Sequence, residues 1–268
     1  MSVSKRNNVH IQGKGSRQMM FAHGFGCDQN MWRLVAPSFD DSHQIILFDH
    51  VGAGGSDLNA YDPIKYSELD GYARDIVEIA DELALKDLVF VGHSVSAVLG
   101  IMAAAISPQL FKALILVSPS PCYINEGDYI GGFSRIEIDE LLVSLEANHL
   151  GWSKTMAPLI MANASRAELS EELTDSFCRT DPAIARQFAR ATFLTDSRGI
   201  LAECEAPSLI LQCSQDIIAP IEVGQFMHEQ MTNSTLVILE ATGHCPHLSA
   251  PEVTVLAIQE FLQIITEQ

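Results

Sequence analysis

Three residues of this chain have the types and the order needed for nucleophilic hydrolysis of an acyl group. The stretch FVGHSVSAVLG, residues 90–100, places Ser94 directly after an apolar run and directly before an apolar helix pattern. A serine hydroxyl is a poor nucleophile near neutral pH, so it needs a histidine base that a carboxylate orients. Asp216 and His244 follow in that order, in SQDIIAP and ATGHCPHLSAP. We therefore predict a catalytic triad of Ser94, Asp216 and His244.

The residues around Ser94 fit the sharp strand-to-helix turn that exposes a nucleophilic serine. Glycine is usual two positions either side, because the turn brings backbone segments close together. Gly92 follows this pattern, whereas Ser96 occupies the second position. Serine is the next smallest practical choice, so the departure weakens the match without removing it. The alternative is an ordinary serine-rich junction between a strand and a helix.

His247 is the rival for the role of base, and with His244 it could be half of a metal site. His244 follows Gly243 at the end of a predicted strand, so we assign the base role to His244. We expect His247 to pack or hydrogen-bond nearby. The two histidines lie in a proline-containing loop, and no third ligand stands at a motif spacing from them. We therefore expect no metal.

The segment HGFG, residues 23–26, predicts one half of an oxyanion hole. Such a hole uses the backbone N–H of the residue after the nucleophile and a second N–H from a loop after an early strand. We assign these donors to Val95 and Phe25, because Gly24 and Gly26 let the backbone approach a substrate closely. Taken alone, the segment could equally be an ordinary glycine turn.

Continuous apolar runs predict the strands that must position these residues. The runs are residues 19–22, 44–49, 88–92, 113–118, 208–212 and 235–240. Helix patterns alternate with them, which predicts an α/β fold with a mostly parallel, doubly wound sheet. The candidate triad residues then lie at the carboxyl ends of strands, where such sheets place active groups.

The alternation of strands and helices is interrupted after Ser118. Only helical patterns occur from about residue 122 to residue 196, which predicts a helical cap inserted into one core. We divide the chain into a first core segment, 1–121, a helical lid, 122–196, and a second core segment, 197–268.

Composition and motifs argue against several partners and cofactors. The chain has 268 residues and a formal charge of -18, so we expect it to repel nucleic acid and anionic lipid. We find neither an apolar run of the roughly 18 residues that a membrane span needs nor a signal-peptide pattern, and we expect a cytoplasmic protein. Gly52 and Gly54 begin a dinucleotide fingerprint, but its third glycine is replaced by Asp57, so we predict no nicotinamide cofactor. The six cysteines form no Cys-x-x-Cys pair, and we expect no disulfide framework.

In combination, these motifs resemble those of the RsbQ-type α/β-hydrolases, a family of bacterial energy-stress regulators with the plant karrikin and strigolactone receptors as more distant relatives. The resemblance spans nearly the whole chain and is carried by HGFGCDQNMW, FDHVGAGGSD, GHSVSA, SPSPCYIN, GGF, ILQCSQDIIAP and GHCPHLSAP. Ser96 departs from hydrolases at large but is ordinary in this family.

The resemblance implies an α/β-hydrolase fold in which a V-shaped lid of four helices covers an apolar pocket. It implies pocket-lining roles for Phe25, Tyr123, Trp152 and Phe193, which would otherwise be taken for core residues. It also implies a partner, a PAS-containing serine/threonine phosphatase that controls a stress sigma factor.

Residues and resemblance together predict a serine hydrolase that acts on a small hydrophobic ester or lactone as an RsbQ-like stress-signalling regulator. One alternative is a metabolic carboxylesterase or carbon–carbon bond hydrolase without a signalling role. Another is a non-catalytic, ligand-sensing regulator of a phosphatase. Epoxide hydrolase and dehalogenase chemistry would require a carboxylate at position 94, which is a serine.

Overall fold

A mostly parallel sheet of seven strands forms the centre of the protein, in a computed structural model that describes residues 1–267. Gln268, the last residue of the predicted second core segment, lies outside the described residues. The strands are β1 (His10–Gln12), β2 (Arg17–Ala22), β3 (His43–Phe48), β4 (Leu88–His93), β5 (Phe111–Val117), β6 (Ser208–Gln215) and β7 (Ser234–Thr242). They lie in the order β1-β3-β2-β4-β5-β6-β7. The predicted fold class is confirmed.

The strand that the sequence did not reveal is β1, at the edge of the sheet. Its three residues are all exposed, and it pairs antiparallel with β3. A strand without a buried residue has no hydrophobic pattern from which it could be predicted. It is recognised as a strand only from its pairing with β3 in the structure.

Helices lie on both faces of the sheet and in the segment between β5 and β6. They are α1 (Val3–Arg6), α2 (Leu69–Glu82), α3 (Val95–Ile106), α4 (Arg135–Ala147), α5 (His149–Met161), α6 (Ala167–Arg179), α7 (Pro182–Phe193), α8 (Ile221–Gln230), α9 (Pro246–Ser249) and α10 (Pro251–Glu267). Local sequence sets several of these boundaries. Ser134 and Glu137 form a capping box at the start of α4, and Asp181 caps α7 just before Pro182.

Neighbouring residues of the central strands pack into different layers of the core. Met20 and Phe90 lie in the layer that α2 and α3 cover. Phe21 and Val91 lie in the opposite layer, with Trp32 and residues of α10. Because both faces are buried, these strands read as continuous apolar runs rather than as alternating patterns.

Helices α4–α7 form the helical insertion, which packs over the carboxyl ends of the strands. Its buried face includes Leu142, Trp152, Leu173, Phe177 and Phe193, in one cluster with residues of the core. Polar contacts also join α6 to the core: Arg33 forms a two-point ion pair with Glu172, and the Ser176 hydroxyl donates to the Gly26 carbonyl at 2.8 Å. None of the helices within residues 1–267 combines the length and apolar character that crossing a membrane requires.

Candidate active site

Ser94 occupies a strained turn between β4 and α3. Its backbone angles are φ 56° and ψ -123°, a conformation that side-chain-bearing residues rarely adopt. Its N–H donates to the Val117 carbonyl of the adjacent strand at 2.8 Å. A Cβ on Gly92 would lie 2.4 Å from the Ser96 carbonyl oxygen, so only glycine fits there. The turn projects the Ser94 side chain beyond the carboxyl edge of the sheet.

The fold brings the three candidate triad side chains into one hydrogen-bonded chain. The Ser94 hydroxyl lies 2.8 Å from His244 Nε2, and His244 Nδ1 lies 2.7 Å from Asp216 Oδ2. Asp216 Oδ1 accepts the backbone N–H groups of Ile218 and Ala219 at 2.8 and 3.2 Å. Because a carboxylate accepts only, Nδ1 of His244 carries the ring proton and Nε2 presents a lone pair to the serine.

The loop that carries His244 is fixed between β6 and the end of α5. Gly243 has φ 88°, and a Cβ there would lie 2.1 Å from the Met161 carbonyl oxygen. The Gly243 N–H donates to the Gln215 carbonyl at 2.7 Å, and the His244 N–H donates to the Ile160 carbonyl at 2.9 Å. The position of the imidazole therefore depends on the helical insertion as well as on the sheet.

Ser96 is more than a small residue in place of glycine. Its side chain is fully buried, and its hydroxyl lies 2.5 Å from the His23 carbonyl oxygen and 2.7 Å from His50 Nε2. The backbone N–H of His50 donates to His23 Nε2 at 3.1 Å, and His23 Nδ1 donates to the Gly24 carbonyl at 2.9 Å. Burial holds the pKa of His50 well below its usual value, so the His50 imidazole is neutral. It anchors the HGFG loop to the turn at Ser94.

This anchoring role of Ser96 and His50 was missed at the sequence level. The two residues are 46 positions apart, and neither stands in a motif that pairs them. The one available signal was the serine at a position where glycine is usual.

The two predicted oxyanion donors are Phe25, in the loop after β2, and Val95, which directly follows Ser94. Val95 is the first residue of α3, so its N–H is one of the donors that a helix leaves free at its amino end. Within residues 1–267, the N–H groups of Phe25 and Val95 have no hydrogen-bond acceptor. A Cβ on Gly24 would lie 2.6 Å from His93 Nδ1, which explains a glycine beside Phe25. Both donors are available to a bound oxygen.

A small, mostly apolar cavity of about 30 Å³ lies above Ser94 and His244. All four predicted pocket residues line it, together with further residues that include Cys27, Ile160, Leu173, Phe177, Thr192, Ile218 and Cys245. The Tyr123 hydroxyl lies 3.4 Å from Ser94 Oγ, and burial raises the pKa of Tyr123 to about 12, so it keeps its proton. The cavity has room for about one water molecule.

A larger cavity of about 610 Å³ lies elsewhere, on the surface between the core and α6. Polar and charged side chains such as Asp28, Arg33 and Arg179 line it, whereas none of the triad residues does. We place the candidate active site at the smaller cavity, because it is the one that Ser94, His244 and an apolar wall line.

His247 does not contact Ser94. It is fully buried and packs against Trp32, with ring centroids 4.7 Å apart. Burial lowers the pKa of His247 to about 3, so its imidazole is neutral. Cys27 and Cys245 are also buried, which raises the pKa of each thiol and keeps both protonated. Neither thiol has the character of an activated nucleophile.

Comparisons with known proteins agree with this architecture. The model of the alpha/beta hydrolase family matches residues 19–257. A karrikin insensitive 2 receptor of Petunia hybrida is 34% identical, over 94% of each chain, and a strigolactone esterase of Arabidopsis thaliana is 36% identical, over 91% of each. The structure of a hydrolase from Oleispira antarctica is 40% identical with a TM-score of 0.94, covering 99% of this chain and 97% of that one.

The family match covers most of the chain, and the relatives are similar along nearly their full lengths. Strands β3 to β7, the strained turn at Ser94 and the insertion before β6 all lie within the residues that the family model spans. On these grounds the chain is a member of the alpha/beta hydrolase family.

Proposed function

We propose that this protein is a serine hydrolase that cleaves small hydrophobic esters or lactones with Ser94, His244 and Asp216. The observation that carries the proposal is the pair of hydrogen bonds, 2.8 and 2.7 Å, that links the three side chains behind the strained serine. In this arrangement a base with a free lone pair faces the nucleophile, and a fixed carboxylate holds that base in its reactive tautomer.

The reaction follows from these positions. His244 Nε2 takes the Ser94 proton as Oγ attacks the carbonyl carbon, and Asp216 stabilises the imidazolium that forms. The oxyanion accepts hydrogen bonds from the N–H groups of Phe25 and Val95, and one such donor contributes about 3 kcal/mol to the transition state. His244 then gives its proton to the leaving alcohol oxygen as the C–O bond breaks. Water hydrolyses the acyl-serine by the same steps in reverse order.

The walls of the cavity support a small, apolar substrate. Phe25, Trp152 and Phe193 supply aromatic surface, and Tyr123 supplies a hydroxyl close to the nucleophile. Similarity to proteins named as a strigolactone esterase and a karrikin receptor supports an ester- or lactone-like compound. The proposed location is the cytoplasm, supported by six cysteines that are all unpaired within residues 1–267.

We propose further that residues 122–196 act as a lid that opens to admit substrate. The cavity above Ser94 measures about 30 Å³, so separation of its walls would make room for a larger substrate. The contacts that close it include the pair of Arg33 with Glu172 and the bond from Ser176 to Gly26. Opening would break these polar contacts and would also expose apolar side chains that the insertion buries against the core.

The test of the hydrolase proposal is the hydrolysis of a short-chain nitrophenyl ester, with intact mass recorded during the reaction. Ser94→Ala should abolish turnover and leave no acyl adduct. Ser153→Ala is the matched control, because Ser153 is also buried and its hydroxyl, within residues 1–267, donates only to the His149 carbonyl at the start of α5. Turnover by Ser94→Ala at the rate of the wild type would overturn the proposal.

A sensing role of the RsbQ type is the second candidate, and the small size of the cavity favours it. An enzyme that must open a tight lid for each substrate suits slow turnover and a long-lived acyl or ligand complex. The PAS-containing phosphatase partner is supported by the resemblance in motifs alone. An acyl-serine that persists for minutes would support the sensor, whereas rapid turnover of many esters would support a metabolic carboxylesterase. A complex with a phosphatase that survives Ser94→Ala would support a non-catalytic regulator.

A further inference from the structure

Three metal-ligating side chains that the proposed reaction does not use converge behind His244. His93 ends β4, while Cys245 and His247 follow β7, and all three are buried, at 3%, 1% and 0% exposure. One ligand atom from each lies within 4.8 Å of the other two. His247 is close to His244 in the sequence, but in the fold its ring packs against that of His93, with ring centroids 4.4 Å apart.

Three ring nitrogens in this cluster have no hydrogen-bond partner. His93 Nε2 donates to the His244 carbonyl at 2.8 Å, so Nδ1 of His93 carries a lone pair. Within residues 1–267, this Nδ1 and both ring nitrogens of His247 are buried without a partner. Buried polar atoms are nearly always satisfied, and an ion bound to His93 Nδ1 and to one nitrogen of His247 would satisfy two of these three atoms.

The donor set selects a soft metal ion. Imidazole and thiolate are ligands of copper and zinc, whereas calcium and magnesium require oxygen ligands, which this cluster does not offer. A metal-bound histidine usually donates its other N–H to a carbonyl, as His93 does to His244. His244 itself is engaged by Ser94 and Asp216, so it does not add a fourth ligand.

Charge and ligand number decide between copper and zinc. One thiolate and two neutral imidazoles carry a single negative charge, so a monovalent ion gives a neutral site, and a neutral site has the smallest cost of burial. Zinc would leave a net positive charge, and structural zinc sites use four ligands.

We propose that His93, Cys245 and His247 form a binding site for one cuprous ion. On binding, the Cys245 thiol loses its proton to solvent as the Cu–S bond forms, and no electron is transferred. His93 and Cys245 also line the active-site cavity, which gives the ion a route to its ligands.

The experiment is an anaerobic titration of the reduced, metal-free protein with Cu(I), in competition with the chelator bicinchoninate. We expect one tightly bound ion per chain, and X-ray absorption at the copper edge should show one sulfur and two nitrogen ligands. Cys245→Ser should lower the affinity by at least about 100-fold, since even loss of an outer contact costs 10- to 100-fold. His247→Phe should do the same while keeping a ring against Trp32.

Cys178→Ser is the matched control, because Cys178 is partly exposed on α6 and lies outside the cluster. It should bind copper like the wild type. Thermal unfolding of each variant checks that it is folded. The X-ray absorption measurement is made on the wild type, so its result does not depend on whether a variant folds. Absence of stoichiometric uptake, uptake unchanged in Cys245→Ser, a second sulfur ligand, or tighter zinc than copper binding would each overturn the proposal. Titration and ester hydrolysis are separate measurements, so failure of one proposal is distinguishable from failure of the other.

Discussion

Replacing Asp216 by asparagine should disable His244 while leaving its position unchanged. Asp216 Oδ1 accepts two backbone N–H groups, from Ile218 and Ala219, and Oδ2 accepts Nδ1 of His244. In Asp216→Asn the amide oxygen must keep facing the two N–H groups. Its NH₂ group then faces His244 and donates to Nδ1, which moves the ring proton to Nε2. A protonated Nε2 does not accept the proton of Ser94.

The size of the effect follows from the two N–H groups. The reactive tautomer requires the amide to flip, which leaves both N–H groups facing a donor. Each buried unpaired donor costs about 1–3 kcal/mol, so the flip costs about 2–6 kcal/mol in total. At about 1.4 kcal/mol per factor of ten, the expected loss in kcat is about 30-fold to about 20,000-fold.

The assay is steady-state hydrolysis of a nitrophenyl ester, with kcat and KM determined for both proteins. KM should change little, because Asp216 does not line the cavity. Asp128→Asn is the control, since Asp128 is exposed in a turn and distant in sequence from the triad. If Asp216→Asn is folded and its kcat is within tenfold of the wild-type value, the role of Asp216 is refuted. The claim that Asp216 keeps the His244 ring proton on Nδ1 is refuted with it.

Three further substitutions test the buried polar groups and the loops. Burial lowers the pKa of His43 to about 4 from 6.5, so the unfolded chain takes up a proton first as the pH falls. The free energy of unfolding of the wild type should therefore fall by about 2 kcal/mol more than that of His43→Phe between pH 7.5 and pH 5. Urea denaturation measures both values, and an equal decrease in the two proteins would contradict this. Ser96→Gly restores the usual motif but removes the hydroxyl that holds the His23 carbonyl, so kcat should fall and stability should drop by about 1–3 kcal/mol; an unimpaired enzyme would show that the bond is dispensable. Gly243→Ala forces a Cβ against the Met161 carbonyl, so both kcat and the melting temperature should fall, and unchanged values in both would be inconsistent with the close approach.

Much of the sheet was predictable because its central strands are buried on both faces. Burial on both faces requires continuous apolar runs, which are visible in a single sequence. Six of the seven strands carried that signal, and β1, which is exposed and three residues long, did not.

The candidate triad was predictable for a related reason. Parallel strands bring their carboxyl ends to one edge, so residues that follow β4, β6 and β7 must come close together there. Ser94, Asp216 and His244 each follow one of these strands, and the sequence therefore determined their neighbourhood. It did not determine the hydrogen bonds, which depend on the loops and on the end of α5 that holds the His244 backbone.

What only the tertiary structure decided are contacts between residues far apart in the chain. The sequence determined the layers of the fold and the edge at which chemistry can occur, because hydrophobic pattern and strand direction are local properties. No local sequence pattern predicts the hydrogen bonds from Ser96 to His23 and His50 or the cover that the helical insertion forms over the cavity. The same holds for the cluster of His93, Cys245 and His247. Each depends on packing that joins segments 46 to about 150 residues apart, and such pairings exist only once the chain has folded.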